Sequence, residues 1–181
     1  MKLHILINHH LSLIMIVLGI DPGTAITGYG IVKDAPDGRL FEICHGVIRT
    51  DSKSPFPLRL KRIHDGIASL IRQHKPQVVA IEQLFFGKNA KTALSVGQAR
   101  GVAVLTCVLA DLELSEYTPI QVKEAVVGYG RAEKMQIQQM VKMLLGLTEI
   151  PKPDDAADAL AVAICHLHSY RMRRTFRQAL R

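Results

Sequence analysis

The apolar residues of the chain fall first into short strand-like runs and then into helical stripes. Residues 15–21, M-I-V-L-G-I-D, are an apolar run closed by Pro22-Gly23, which predicts a buried strand entering a turn. Residues 27–33 predict a second strand, Asp37-Gly38 a hairpin turn, and the alternating residues 40–48 a third strand. After Pro55 and Pro57, the residues Leu58, Leu60, Ile63, Ile67, Leu70 and Ile71 recur near helical spacing until His74-Lys75-Pro76 stops them. Residues 78–81, V-V-A-I, are apolar without alternation, the pattern of a strand covered on both faces in a parallel sheet, and they end at Glu82. Gly87-Lys88-Asn89 opens a long helix to about Ala110, and residues 112–117 predict a last short strand. Helices over 120–127 and 133–145 flank Gly128-Tyr129-Gly130, and Pro151 and Pro153 mark the start of a helix over 154–170.

This order predicts an α/β fold, a mixed sheet of three antiparallel then two parallel strands flanked by helices. No repeat or linker divides residues 15–170, which read as one domain. Residues 1–14 read as a non-native or misassigned extension, because the patterned chain begins at Met15. The apolar run 11–20 behind Lys2 has the look of a signal peptide, but it is well short of the ~18 residues a span needs. It is also followed by Gly19-Ile20-Asp21-Pro22-Gly23 instead of a small-residue cleavage site. Three scattered cysteines without a C-x-x-C pair fit neither a disulfide framework nor a zinc knuckle, so a reducing cytoplasmic compartment and no membrane are expected. The net charge of +7 favours a polyanionic partner, yet five arginines lie in residues 171–181. The other 170 residues hold 18 basic and 16 acidic side chains, so the body is almost neutral and the stretch 171–181 reads as a basic, flexible tail.

Four acids stand where a solvated charge is not expected. Asp21 and Glu82 end apolar strands, and Asp155 and Asp158 lie three apart at the start of an alanine-rich helix, on one face of it. Taken singly, Asp21 before Pro-Gly also suits a turn, and the D-x-x-D pair also complements a helix dipole. Glu82 is harder to explain away, since a buried carboxylate needs a cation or a proton. An all-carboxylate set selects hard cations, Mg²⁺ or Mn²⁺, and a pair of such ions suits phosphodiester hydrolysis. One stripe of the long helix carries Ala93, Gly97 and Gly101, either for tight packing on the sheet or for a dimer interface.

The motifs G-I-D-P-G-T-A-I-T-G-Y-G at 19–30, A-I-E-Q-L-F-F-G-K-N at 80–89 and S-V-G-Q-A-R-G-V at 95–102 carry a resemblance. V-V-G-Y-G-R-A-E-K at 126–134 and D-A-A-D-A-L-A at 155–161 extend it. The chain resembles the RuvC-type Holliday junction resolvases, ribonuclease H-like endonucleases of the retroviral-integrase group, from Met15 to about Tyr170. That resemblance implies a Mg²⁺-dependent endonuclease, with two ions per subunit and Mn²⁺ as a substitute, which resolves four-way DNA junctions by paired, symmetric cuts in recombination and repair. It implies that Asp21, Glu82, Asp155 and Asp158 bind the metal. Some members carry His at the position of Asp155. It further implies catalytic phosphate contacts from Lys123 and Lys134, stacking of Phe85 on an unpaired base, a homodimer, and work beside the RuvA and RuvB branch-migration proteins. Lys88, Lys91 and Arg131 are the further DNA-contact candidates.

Taken alone, Lys123 and Lys134 read as solvated surface charges, and Gly128 and Gly130 break the helix that would align them. The alternative for Phe85 or Phe86 is a place in the core as the strand ends, but with Lys88 and Lys91 just beyond in a polar loop the DNA contact is favoured for Phe85. Cys165-His166-Leu167-His168 reads as packing, because positions two apart point to different helix faces. Asp154 reads as a helix N-terminal charge outside the acidic set. Two other functions compete with the nuclease. The G-I-D-P-G-T turn also suits an ATP-using phosphotransferase of the actin and Hsp70 type, although no second such turn supplies the other lobe. A non-catalytic junction-binding scaffold is the third reading, against which the clustered acids stand, since they would repel DNA.

Overall fold

The computed structural model describes residues 14–83 and 90–180. The expected extension lies outside them apart from Ile14, as do Phe85, Lys88 and the side chain of Lys91. β1 (Ile16–Asp21), β2 (Ile26–Asp34) and β3 (Leu40–Arg49) form the antiparallel meander, and β4 (Val78–Glu82) and β5 (Glu113–Tyr117) add in parallel beside β1. The order β3-β2-β1-β4-β5 is the mixed sheet the sequence predicts. α1 (Phe56–His74) links β3 to β4 and α2 (Ala90–Val108) links β4 to β5, and α3 (Pro119–Val127), α4 (Lys134–Leu145) and α5 (Asp154–Ala179) follow.

Strand alternation decides which helices each side chain meets. Leu18 and Ile20 of β1 and Val79 and Ile81 of β4 pack on one face, against Ile63 of α1 and Ala103 of α2. Val17 and Ala80 face the other way, into a core with Val122 of α3, Val141 of α4 and Leu160 and Ile164 of α5. Asp21 and Glu82 belong by the same alternation to the α5 face. That helix sits close because β1 and β2 leave it room. A Cβ at Gly19 would strike the Ala159 carbonyl, and one at Gly28 the Asp155 carbonyl.

Local chemistry sets the helix ends. Thr118 and Gln121 exchange hydrogen bonds in a capping box that starts α3, and Gly128 at φ 94° ends it in the left-handed region. One boundary differs from expectation. α5 does not stop at Tyr170 but runs to Ala179, so the stretch expected as a flexible tail is helix over almost all its length. No Gly or Pro interrupts it, and its Arg, Met, Gln and Ala residues are good helix formers. Arg171 also tethers it, donating to the Gly38 carbonyl and pairing with Asp34.

Candidate active site

Two strand ends and a helix start build the acidic centre. The parallel register sets Ile20 beside Ile81, so Asp21 and Glu82, one residue further on, are neighbours at the ends of β1 and β4. Pro22 has no N–H to continue the ladder, which releases the chain there. α5, seated through Gly19 and Gly28, brings Asp155 in its first turn and Asp158 one turn on over the same spot. Asp21 feels the charges of Glu82, Asp158 and Asp155 together, so the fold gathers the four acids that the sequence singles out.

Their protonation reflects that crowding. Burial first, and then repulsion from the three other acids, pushes the Asp21 carboxyl up to about 7. Glu82 rises to about 6, again by burial first and then by Asp158, with Lys123 opposing. Burial also raises Asp158, against the pull of Lys134. As the side chains stand, no three described His, Cys, Asp or Glu residues converge tightly enough to grip an ion. The four are linked by charge, which reaches further than coordination distance, and Asp158 turns one oxygen toward a lysine. A cluster that raises its own protonation constants is one that a cation stabilises, and its all-oxygen donors suit a hard divalent ion and not zinc.

The lysines converge on the same place, which their sequence spacing across Gly128 and Gly130 did not require. Lys123 of α3 and Lys134, the first residue of α4, line a cavity of about 250 Å³ together with Glu82, Asp158 and Ile137. Lys134 Nζ lies 3.2 Å from Asp154 Oδ2 and 3.3 Å from Asp158 Oδ2. Burial lowers the Lys134 pKa and these carboxylates more than restore it. Asp154 is therefore more than a helix-end charge. Its Oδ1 accepts a 3.0 Å hydrogen bond from buried Gln138, and the bonds from Lys134 and Gln138 hold its carboxyl below the usual range. Sequence reasoning missed Asp154 and Gln138. The only available signal was the i, i+4 spacing of Lys134 and Gln138, which acquires meaning once α4 docks on α5.

Arg131 is exposed in the turn before α4. Phe85, Lys88 and the Lys91 side chain lie outside the described residues. His166 and His168 pack, as expected. Buried His166 Nδ1 is 3.0 Å from the Tyr117 hydroxyl, and His168 Nδ1 donates to the Ala125 carbonyl at 2.9 Å.

A family model described as crossover junction endodeoxyribonuclease RuvC matches residues 17–166. The chain belongs to the RuvC family. A relative from Syntrophomonas wolfei with that name is 54% identical over 158 residues, covering 87% of this chain and 91% of that protein. The solved RuvC structure from Thermus thermophilus superposes with a TM-score of 0.82 at 36% identity, over 87% of this chain and 96% of that one. T. thermophilus RuvC solved in complex with a Holliday junction substrate matches with a TM-score of 0.81 at 33% identity and the same coverage. Membership in this family of endodeoxyribonucleases sets aside the two-lobed phosphotransferase reading, and the RuvC-family sheet is the ribonuclease H-like one expected. Among the described residues no helix is long and apolar enough to cross a membrane.

Proposed function

We propose that the chain is a divalent-metal-dependent endonuclease that resolves four-way DNA junctions, with Asp21, Glu82, Asp155 and Asp158 as metal ligands. The observation that carries this reading is the meeting, in a chain of the RuvC family, of four mutually repelling carboxylates from three elements with two lysines. Bound Mg²⁺, two ions per subunit with Mn²⁺ able to substitute, supplies an activated water and stabilises the leaving 3′ oxygen. Around it, the carboxylates hold and orient. Asp21 and Glu82 shed protons when a cation arrives, so binding weakens as pH falls through about 7 and 6. Lys123 and Lys134 face the scissile phosphate, and Asp154 keeps Lys134 at the rim of the site. Phe85 stacks on an opened base, and Lys88, Lys91 and Arg131 meet the backbone.

The same proposal includes a homodimer, which places two centres on the two strands of a two-fold symmetric junction. The outer stripe of α2 supports it, with Leu94, Leu105 and Val108, and Leu109 just past the end of the helix, all more than half exposed. Gly97 and Gly101 in that stripe have open space where a side chain would stand, so among the described residues these two glycines are not needed for close packing on the sheet. A role beside the RuvA and RuvB branch-migration proteins follows from the family resemblance. A cytoplasmic location is supported by three free cysteines.

The test uses purified protein with a synthetic four-way junction and a linear duplex of matching sequence, each with Mg²⁺ and with chelator. Cutting of the junction alone, and only with metal, is expected. Equal cutting of both substrates rejects junction selectivity, and binding without cutting supports the scaffold reading. Glu82→Gln should lower cleavage by roughly a thousandfold, equivalent to about 4 kcal/mol of transition-state stabilisation, while junction binding is kept. Lost binding would make Glu82 a structural residue.

A further inference from the structure

We propose that the last turns of α5 form a second phosphate-backbone site, remote from the acidic centre, which takes a duplex arm of the DNA. The inference rests on the reading that the chain binds junction DNA. Tyr170, Arg173, Arg174, Arg177 and Gln178 follow one another at i, i+3, i+4, i+7 and i+8 and so share one face of α5. With Glu113 and Ser115 of β5 they enclose an open groove of about 640 Å³. A ring stack backs this face, since Tyr117 meets His166 edge-on at 6.0 Å between centroids and His166 stacks on Tyr170 at 6.3 Å. The groove is therefore built on an ordered support.

Charge names the ligand class. Arg171 is committed to Asp34 and the Gly38 carbonyl, whereas Arg173, Arg174 and Arg177 have no carboxylate partner among the described residues. No acid occurs in the sequence after Asp158, and Glu113 is the one carboxylate in the groove wall. Three guanidinium forks against one carboxylate favour an extended polyanion. Distance then favours duplex DNA, the class of substrate already proposed for this chain, over an acidic protein segment. Arg177 is 22 residues beyond Asp155 on one helix, about 33 Å at ~1.5 Å per residue. One turn of duplex is about 34 Å, so an arm leaving the acidic centre and crossing the outside of the molecule in the direction of α5 presents the same side of its backbone again at the arginines.

Full-length protein and the triple variant Arg173→Gln/Arg174→Gln/Arg177→Gln are compared on junctions with arms of about 20 base pairs and of about 6 base pairs, the latter shorter than one duplex turn. On long arms the variant should bind roughly tenfold more weakly and lose about 2 to 3 from its salt slope. On short arms its affinity should stay within about twofold, because phosphates beyond reach contribute nothing. The triple Arg→Lys variant should regain most of the long-arm affinity, which separates charge loss from misfolding. Equal weakening on both arm lengths overturns the proposal, as does no change on either, which leaves the groove to an acidic protein segment. Wild-type protein that binds neither junction overturns the junction-binding reading itself.

Discussion

Asp21 ends β1 with its carboxyl raised from 3.8 to about 7, by burial and then by Glu82, Asp158 and Asp155. The folded chain therefore keeps a proton there that the unfolded chain releases. The stability this adds is complete below about pH 3.8 and is lost as pH rises through about 7. Asp21→Asn keeps the shape and removes the charge. In chelator, the variant should melt roughly 5 °C above wild type near pH 8, with the gap closing near pH 4, while cleavage is lost. Calorimetry at both pH values checks this, and identical melting near pH 8 would mean that Asp21 does not stand in a repulsive field. Asp21 and Glu82 were legible as residues because each closes an apolar strand. Asp154 was not, since its partners Lys134 and Gln138 lie on another helix.

α5 is the element that turns separate acids into a site, and its seat depends on missing side chains in the strands beneath it. Gly28→Ala would drive a Cβ into the Asp155 carbonyl and lift the start of α5. Overpacking of this kind costs about 1 to 3 kcal/mol, so the variant should melt roughly 5 °C lower by circular dichroism. Cleavage should fall more than stability predicts, because the displaced turn carries Asp155. Unchanged cleavage would detach the position of that turn from the chemistry. The sequence predicts every element in order, with boundaries that shift by a residue or two except at the end of α5. That end was read from its charge as a tail. Its helicity depends on formers that carry the helix onward and on Arg171 reaching a turn 133 residues away, a contact that no local pattern announces.

At the scale of the whole molecule we assign function to three faces: the acidic end of the sheet, the outer stripe of α2, and the arginine groove at the far end of α5. If α2 pairs two copies, placing a charge in the middle of its exposed stripe should separate them. Leu105→Glu should sediment as a monomer at micromolar concentration where wild type sediments as a dimer. It should also nick one strand of a junction instead of resolving it by paired cuts. A dimeric Leu105→Glu protein would move the interface elsewhere. The near-neutral body computed from charge counts is thus a poor guide to binding. Basic residues are segregated in the fold, with Lys123 and Lys134 beside the acids and Arg173, Arg174 and Arg177 on a separate wall.

By itself the sequence determined the order of elements, the two buried faces of the sheet, the four acids and the family. All of these are local: alternation by two, helical stripes, turn residues and short motifs act over a few positions. Only the tertiary structure decided that Lys123 and Lys134 meet Glu82 and Asp158, that Gln138 and Asp154 fix Lys134, and that the C-terminal arginines face β5. These depend on how α3, α4 and α5 dock on one another. The Gly128-Tyr129-Gly130 turn breaks the helical register between the two lysines, and a contact across such a break is set by core packing and not by residue spacing.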